Sequence, residues 1–100
     1  MEKRTPHAKL SLVKSLVQAG RVRATATALA GARELGIHGL QGLCEVVLSL
    51  ERRHFYKSMT THGDHRIWQD VYHARTQEGD EVYLKLTVVD DVLIVSFKEL

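Results

Sequence analysis

The sequence predicts an α+β fold in which three N-terminal helices pack on one face of a mainly antiparallel C-terminal sheet. Up to Leu50, apolar residues recur at helical spacing, whereas from Phe55 onward apolar and polar residues alternate and β-branched and aromatic residues become common. Short turn segments separate the alternating stretches, as expected for strands that follow one another in an antiparallel meander. A run of helices followed by a run of strands is typical of α+β domains, and here it leaves the second face of the sheet uncovered.

The first predicted helix begins at Thr5 and Pro6. A Thr side chain can accept a hydrogen bond from a free N–H group at a helix start, and Pro is tolerated in the first turn. Gly20 supplies the stop. We therefore expect about four turns of helix, with an apolar stripe formed by Leu10, Val13, Leu16 and Val17.

The second and third helices are expected on either side of a break over 36–39. An alanine-rich run over 26–35, capped by Thr25 or Thr27, predicts the second helix. Apolar residues at helical spacing predict the third helix over 40–50. Cys44 lies beside that stripe, so a buried and unreactive thiol is a better interpretation than a nucleophile.

Four strands are expected in the second half of the chain, over 55–61, 67–75, 81–89 and 92–98. In the third of these strands, alternation assigns four apolar residues to the core face: Val82, Leu84, Leu86 and Val88. Tyr83, Lys85 and Thr87 then point to the uncovered face. There, Tyr83 and Lys85 can meet a nucleobase and a phosphate. The alternative is that they form the solvated side of a half-buried sheet.

The composition is that of one ordinary globular domain spanning 1–100. The chain has 14 Lys and Arg against 12 Asp and Glu, so bulk charge is weak evidence for a nucleic-acid partner. Glu2 is the only acidic residue before Glu34, and the basic residues of this stretch form either one basic face or ordinary solvated surface. The N-terminus lacks the apolar segment of a signal peptide, and one cysteine allows no internal disulfide, so we expect a cytoplasmic protein without membrane contact.

The chain has six histidines, which could serve as metal ligands or general bases. His62 and His65 are the closest pair, but they lie in a predicted turn rather than one turn apart on a helix. No cysteine pair or ordered carboxylate cluster completes a site. We therefore expect no metal and no cofactor, although His65 or His73 could titrate and assist catalysis.

Long stretches of the chain resemble one family of bacterial toxins. These are the segments 1–7, 55–61, 67–72, 82–85 and 91–98, which include Ile67-Trp68-Gln69-Asp70-Val71-Tyr72. In this order and at nearly constant spacing, they are similar to the motility quorum-sensing regulator toxins of the RelE-like ribonuclease group. The segments 62–66 and 73–81 and the middle helices depart from the family pattern. Because specificity is usually set in loops, the departures leave the antitoxin pairing and the base preference open.

The resemblance implies the toxin of a type II toxin-antitoxin system, with a RelE-like microbial ribonuclease fold. Its activity would be that of a ribosome-independent and metal-independent mRNA endoribonuclease, or mRNA interferase. Such an enzyme cuts mRNA at GC-containing sites such as GCU and arrests translation and growth. The implied partner is a cognate zinc-containing helix-turn-helix antitoxin, and operator DNA would be contacted only indirectly, through that antitoxin.

The family's functional lysine, glutamine and tyrosine fall on Lys57, Gln69 and Tyr83. RNA scission without a metal requires help for the attacking 2′-hydroxyl, cationic stabilisation of the phosphorane, and a proton for the leaving 5′-oxygen. We expect Lys57 to stabilise phosphate or, if burial lowers its pKa, to act as an acid or base. Tyr83 would transfer a proton or contact an oxyanion, and Gln69 would position RNA. Lys85 and Lys98 are expected to bind RNA.

Two other functions remain open at this stage. The first is a non-catalytic binding module that holds an antitoxin on the same sheet and modulates its DNA binding. The second is a metal-dependent hydrolase built on the histidines, which would lose its activity to a chelator. If RNA cleavage persists after the protein is purified again and is lost in the Lys57→Ala variant, the protein is a nuclease and not only a binding module.

Overall fold

The chain folds as three helices followed by a four-stranded meander, with two further short strands, in a computed structural model that describes residues 1–100. The helices are α1 (Leu10–Gln18), α2 (Ala26–Glu34) and α3 (Gly39–Ser49), and a 3-10 turn over 52–54 leads into the meander. The meander strands are β3 (Phe55–Thr60), β4 (Trp68–Arg75), β5 (Glu81–Val89) and β6 (Asp91–Glu99). The predicted α+β class and all four predicted strands are confirmed.

The sheet has six strands instead of the predicted four, and one of its strand pairs is parallel. Two short strands, β1 (Glu2–Lys3) and β2 (Val22–Ala24), form its edges, and the strand order is β1-β3-β4-β5-β6-β2. All neighbours pair antiparallel except β2, which runs parallel to β6. Strands of two and three residues carry no periodicity of their own. They form because the chain passes beside an edge of the meander, which is why sequence analysis missed them.

The prediction that α1 begins at Thr5 is wrong, because the helix begins at Leu10 and spans nine residues. The segment before it crosses the sheet instead. The backbone N–H groups of His7 and Ala8 donate to the two carboxylate oxygens of Asp70 on β4, each at 3.0 Å. This anchor holds the chain in a non-helical path up to Lys9, whose backbone is extended.

α2 packs directly on β6. The Thr25 hydroxyl accepts a hydrogen bond from the Ala28 N–H at 3.0 Å, which caps the helix as predicted, and donates to the carbonyl of Val95 on β6 at 2.8 Å. Gly31 lies against the carbonyl of Phe97, where a Cβ would overlap the oxygen. The small residues of α2 therefore allow the close approach to the sheet.

The core lies between the helices and one face of the sheet. The helices contribute Val13, Val17, Ala28, Ala32, Leu43 and Val47, and the strands contribute Tyr72, Leu84, Leu86, Ile94 and Phe97. Cys44 is half-buried beside this cluster, and burial raises the pKa of its thiol, in keeping with an unreactive side chain. No helix is long and apolar enough to cross a membrane. The helices leave the opposite face of the sheet uncovered.

Candidate active site

The uncovered face carries a row of side chains that runs straight across the meander. Lys57 on β3 lies opposite Val71 on β4, which lies opposite Lys85 on β5. Because residues paired in register point to the same face, the two lysines flank Val71. Val71 is fully buried although it belongs to this face and lies outside the main core cluster. We call Lys57, Val71 and Lys85 the lysine row, with Val71 as its floor.

A second row lies two residues along each strand, at about 7 Å from the first. His73 on β4 is paired with Tyr83 on β5, and Tyr83 with Lys98 on β6. The Tyr56 ring stacks on the His73 ring, with centroids 4.2 Å apart and planes at 18°, and the His73 and Tyr83 centroids are 6.2 Å apart. We call Tyr56, His73, Tyr83 and Lys98 the ring row.

Cations stand at both ends of the ring row. The Arg4 guanidinium carbon lies 5.6 Å from the Tyr56 ring centre, and Lys98 Nζ lies 5.1 Å from the Tyr83 ring centre. Both distances are within the range of cation–π attraction. The face thus presents a run of three rings with a cation at each end, and this combination of stacking surfaces and positive charge suits single-stranded nucleic acid.

A β-bulge brings Tyr56 into this row. The β3–β4 register shifts between Phe55 and Lys57, so that Tyr56 is the extra residue. Tyr56 stacks on His73 and Lys57 pairs with Val71, so the side chains of two successive residues of β3 lie on the same face of the sheet. Simple alternation would have placed them on opposite faces, and sequence analysis therefore did not select Tyr56.

Gln69 lies on the same face, beyond the lysine row. It pairs with Met59 on β3 and is separated from Val71 by one residue of β4. Its side chain is half-exposed and forms no hydrogen bond within the protein. The amide is thus free to contact a ligand that follows the strand direction. Thr87, expected on this face as well, is buried, and its hydroxyl donates to the Trp68 carbonyl at 2.7 Å.

Lys57 is paired with a carboxylate that sequence analysis did not select. Its Nζ donates to Glu2 Oε1 at 2.7 Å, from β3 to the edge strand β1, and only 22% of its side chain is exposed. This hydrogen bond raises the pKa of Lys57 above its usual 10.5 and lowers the pKa of Glu2 below its usual 4.5. The lowered pKa that the role of a base would require is therefore not found. Lys57 is a cation at neutral pH, which suits phosphate stabilisation and not the role of a base.

Tyr83 also keeps its proton at neutral pH. Burial raises the pKa of its phenol above the usual 10.0, and the nearby Lys57 charge offsets part of this rise. Tyr83 is therefore a hydrogen-bond donor next to the lysine row. Of the expected site residues, Lys57, Gln69, Tyr83, Lys85 and Lys98 all lie on this one face.

The histidines do not converge on a common point. The structure contains no group of three or more His, Cys, Asp and Glu side chains placed to hold a metal ion. His7 stacks on Trp68, with centroids 5.6 Å apart, and His62 and His65 lie exposed in the β3–β4 turn. Only His73 enters the ring row.

Two cavities flank the sheet and the helices. One, of about 450 Å³, opens beside the ring row and is lined by Arg53, His54, His73, Arg75 and Glu81. The other, of about 480 Å³, lies between α3 and the β4–β5 turn, near Glu45 and Gln77. The first cavity borders His73 of the ring row, whereas the second borders no residue of either row.

The sequence is similar to known proteins over nearly its whole length. Residues 5–99 match the family model described as "Motility quorum-sensing regulator, toxin of MqsA". The chain is also 61% identical over 99 residues to the mRNA interferase toxin MqsR of Escherichia coli (strain K12), with 99% of each chain covered. The resemblance inferred from the sequence is confirmed. The chain therefore belongs to the family of motility quorum-sensing regulators that are the toxins of MqsA.

Proposed function

We propose that this protein is the toxin of a type II toxin-antitoxin system and acts as an mRNA interferase. The single observation that carries the proposal is that Lys57, Lys85, Tyr83 and Lys98 stand together on the uncovered face of the sheet. The 61% identity to an mRNA interferase toxin supports the same reaction. Such a protein would act in the cytoplasm, where its substrate is.

The proposed reaction is an attack of the 2′-oxygen of the RNA on the adjacent phosphorus. Lys57, held as a cation, would stabilise the charge that builds on the phosphorane oxygens. Tyr83 would donate a proton or hydrogen bond at the same centre, and Gln69 would position the nucleotide that lies beyond the lysine row. Lys85 and Lys98 would bind flanking phosphates. None of these roles requires a metal, and we propose that the enzyme is metal-independent.

The spacing of the two rows supports a single-stranded substrate that follows the strands. Successive rows on one face lie about 7 Å apart, close to the distance between neighbouring phosphates of an extended RNA strand. One nucleotide per row would place a phosphate at the lysine row and a base or sugar beside the ring row. We propose that cleavage is independent of the ribosome, because free RNA can reach an uncovered face directly. We propose cleavage at GC-containing sites such as GCU because the family resemblance implies it.

The proposed partner is a cognate antitoxin of the MqsA type, containing zinc and a helix-turn-helix part. The toxin would then reach operator DNA only through the antitoxin. The cationic face would attract an acidic segment of such a partner, which is the basis of the non-catalytic alternative.

The test is cleavage of a defined RNA containing GCU by purified protein in excess EDTA. Wild type should cut it, and a single 2′-deoxy substitution at the cut site should abolish cleavage. Lys57→Ala should cut about 10²-fold more slowly or worse, and Tyr83→Phe should also lose activity. Lys14→Ala, a lysine on α1 at the opposite face, is the matched control and should cut normally.

Two results of this experiment would contradict the catalytic assignment. If wild type does not cut, or if Lys57→Ala and Tyr83→Phe both cut as well as wild type, the catalytic assignment is wrong. Binding of the antitoxin by an inactive wild type would then favour the non-catalytic module.

A further inference from the structure

None of the three predicted catalytic residues, Lys57, Gln69 and Tyr83, can take a proton. Attack by a 2′-hydroxyl requires that its proton be accepted. Lys57 and Tyr83 are both protonated at neutral pH, and the amide of Gln69 is not a base. The acceptor must therefore come from another side chain on this face. The candidates by position are the Glu2 carboxylate, which is occupied by Lys57, and the imidazole of His73.

His73 is well placed for this role. It is paired in register with Tyr83 and lies two residues along β4 from Val71, the floor of the lysine row. Tyr56 stacks on its ring, which fixes the plane of the imidazole. No hydrogen bond within the protein engages its ring nitrogens, and the ring lines the 450 Å³ cavity. The imidazole is thus held in orientation but left free in its hydrogen bonding.

We propose that His73 is a further catalytic residue of this nuclease, the general base that accepts the proton of the attacking 2′-hydroxyl. The proposal rests on the proposed nuclease function.

As the 2′-oxygen bonds to phosphorus, its proton passes to a free nitrogen of His73. The bond from phosphorus to the 5′-oxygen breaks, and that oxygen takes the proton of the Tyr83 hydroxyl. The products are a 2′,3′-cyclic phosphate and a 5′-hydroxyl. The imidazolium then loses its proton to solvent, and the phenolate regains one.

The other histidines are less suited to the reaction. His54, which lines the same cavity, uses Nδ1 to accept a hydrogen bond from the Glu51 N–H at 2.9 Å. His38 precedes α3, and His7 stacks on Trp68. His62 and His65 are exposed in the β3–β4 turn. His73 is the one histidine that contacts both tyrosines of the ring row.

The charged and titratable groups that face His73 come from several elements. They are Tyr56 and Lys57 from β3, Arg75 from β4, Tyr83, Lys85 and Glu81 from β5, Lys98 from β6, and Arg53 and His54 from the turn before β3. Arginine, lysine, tyrosine and glutamate ordinarily titrate far from neutrality. Variants of the two histidines in this set, His73 and His54, show whether either one produces the pH dependence of the rate.

The experiment is the single-turnover cleavage rate of a defined RNA between pH 5 and pH 9, in EDTA. We compare wild type with His73→Gln and with two matched controls, His54→Gln and His65→Gln. Wild type should cut faster as the pH rises and then level off, which gives one break in the rate profile. His73→Gln should cut about 10²- to 10³-fold more slowly at pH 7.5 and lose that break. Both controls should retain the wild-type profile. Added imidazole should accelerate His73→Ala but not Lys57→Ala.

Three results would overturn the proposal. The first is a His73→Gln rate close to wild type. The second is a uniform loss of rate with the break retained and no rescue by imidazole, which would mean that His73 only supports the neighbouring tyrosines. The third is a loss of rate in Glu2→Gln as large as the one expected for His73→Gln, which would make Glu2 the base. A wild type that does not cut RNA contradicts the proposed function itself and is a distinct outcome. Thermal unfolding and RNA binding of each variant verify that it is folded.

Discussion

Glu2 Oε1 accepts a hydrogen bond from Lys57 Nζ at 2.7 Å, across the pairing of the edge strand β1 with β3. The free protein therefore neutralises the lysine that is proposed to meet the scissile phosphate. An RNA phosphate must displace the carboxylate, or share the ammonium with it, before Lys57 can act.

Glu2→Gln should bind RNA more tightly than wild type. The substitution removes one negative charge from the face and frees Lys57, so we expect about two- to fivefold tighter binding. The measurement is fluorescence anisotropy with an RNA that carries a 2′-deoxy nucleotide at the cut site. The matched control is Glu99→Gln, an exposed glutamate that pairs with Val82, outside the two rows. Equal affinities for Glu2→Gln and wild type would show that Glu2 does not compete with RNA.

Asp70→Ala should destabilise the fold through the N-terminal segment. The buried carboxylate accepts hydrogen bonds from the N–H groups of His7 and Ala8 and from the Ser58 hydroxyl, which lies 2.6 Å away. Loss of these charge-assisted bonds should lower the free energy of unfolding by about 2–4 kcal/mol, measured in urea. Amide hydrogen exchange should also become faster at His7 and Ala8. Exposed Glu78→Ala should stay near wild type, and an equal loss in both variants would contradict this account.

Gly31→Ala should destabilise the protein, although alanine is normally the better helix former by about 1 kcal/mol. The new methyl group would overlap the Phe97 carbonyl oxygen, so α2 must move away from β6. We expect a loss of about 1–3 kcal/mol in the free energy of unfolding. Gly63→Ala, in the β3–β4 turn with no atom within 4 Å of the added Cβ, is the control and should be nearly neutral. Stabilisation by Gly31→Ala would mean that α2 and β6 are not in close contact.

Tyr72→Phe should reduce the sensitivity of the fold to alkaline pH. Burial, with the nearby charge of Asp70, raises the pKa of the Tyr72 phenol to about 12 from its usual 10.0. The folded protein thus binds this proton more tightly than the unfolded chain does, so stability is complete below pH 10 and is lost as the pH rises toward 12. Thermal unfolding between pH 9 and pH 12 should show a smaller loss for Tyr72→Phe than for wild type. Tyr56→Phe, whose ring is 43% exposed, should keep the wild-type dependence.

Local patterns predicted most of the architecture, because each helix and long strand of this chain carries its own periodicity. The ends of α2, α3 and the four meander strands agree with the predictions to within one residue. Alternation also placed Tyr83 and Lys85 correctly on the uncovered face. Alternation did not select Gln69, because β4 carries apolar residues on both of its faces, with Val71 on the same face as Gln69. Gln69 was chosen from the family resemblance alone.

Long-range contacts decided what periodicity could not. The start of α1 was wrong because Asp70, far along the chain, takes the N–H groups of His7 and Ala8. The edge strands β1 and β2 were missed because two or three residues have no pattern of their own. The protonation of Lys57 followed from a partner that no local pattern identifies.

The sequence by itself determined the α+β class, the order of the helices and meander strands, the family, and which side chains could supply charge and aromatic rings. Only the tertiary structure decided that Glu2 pairs with Lys57, 55 residues apart, and that a bulge brings Tyr56 onto His73. It also separated His73 from His65, which the sequence had left equivalent. The physical reason is that strand pairing and bulges depend on the register between distant segments, whereas periodicity reports only which side of its own segment a residue occupies.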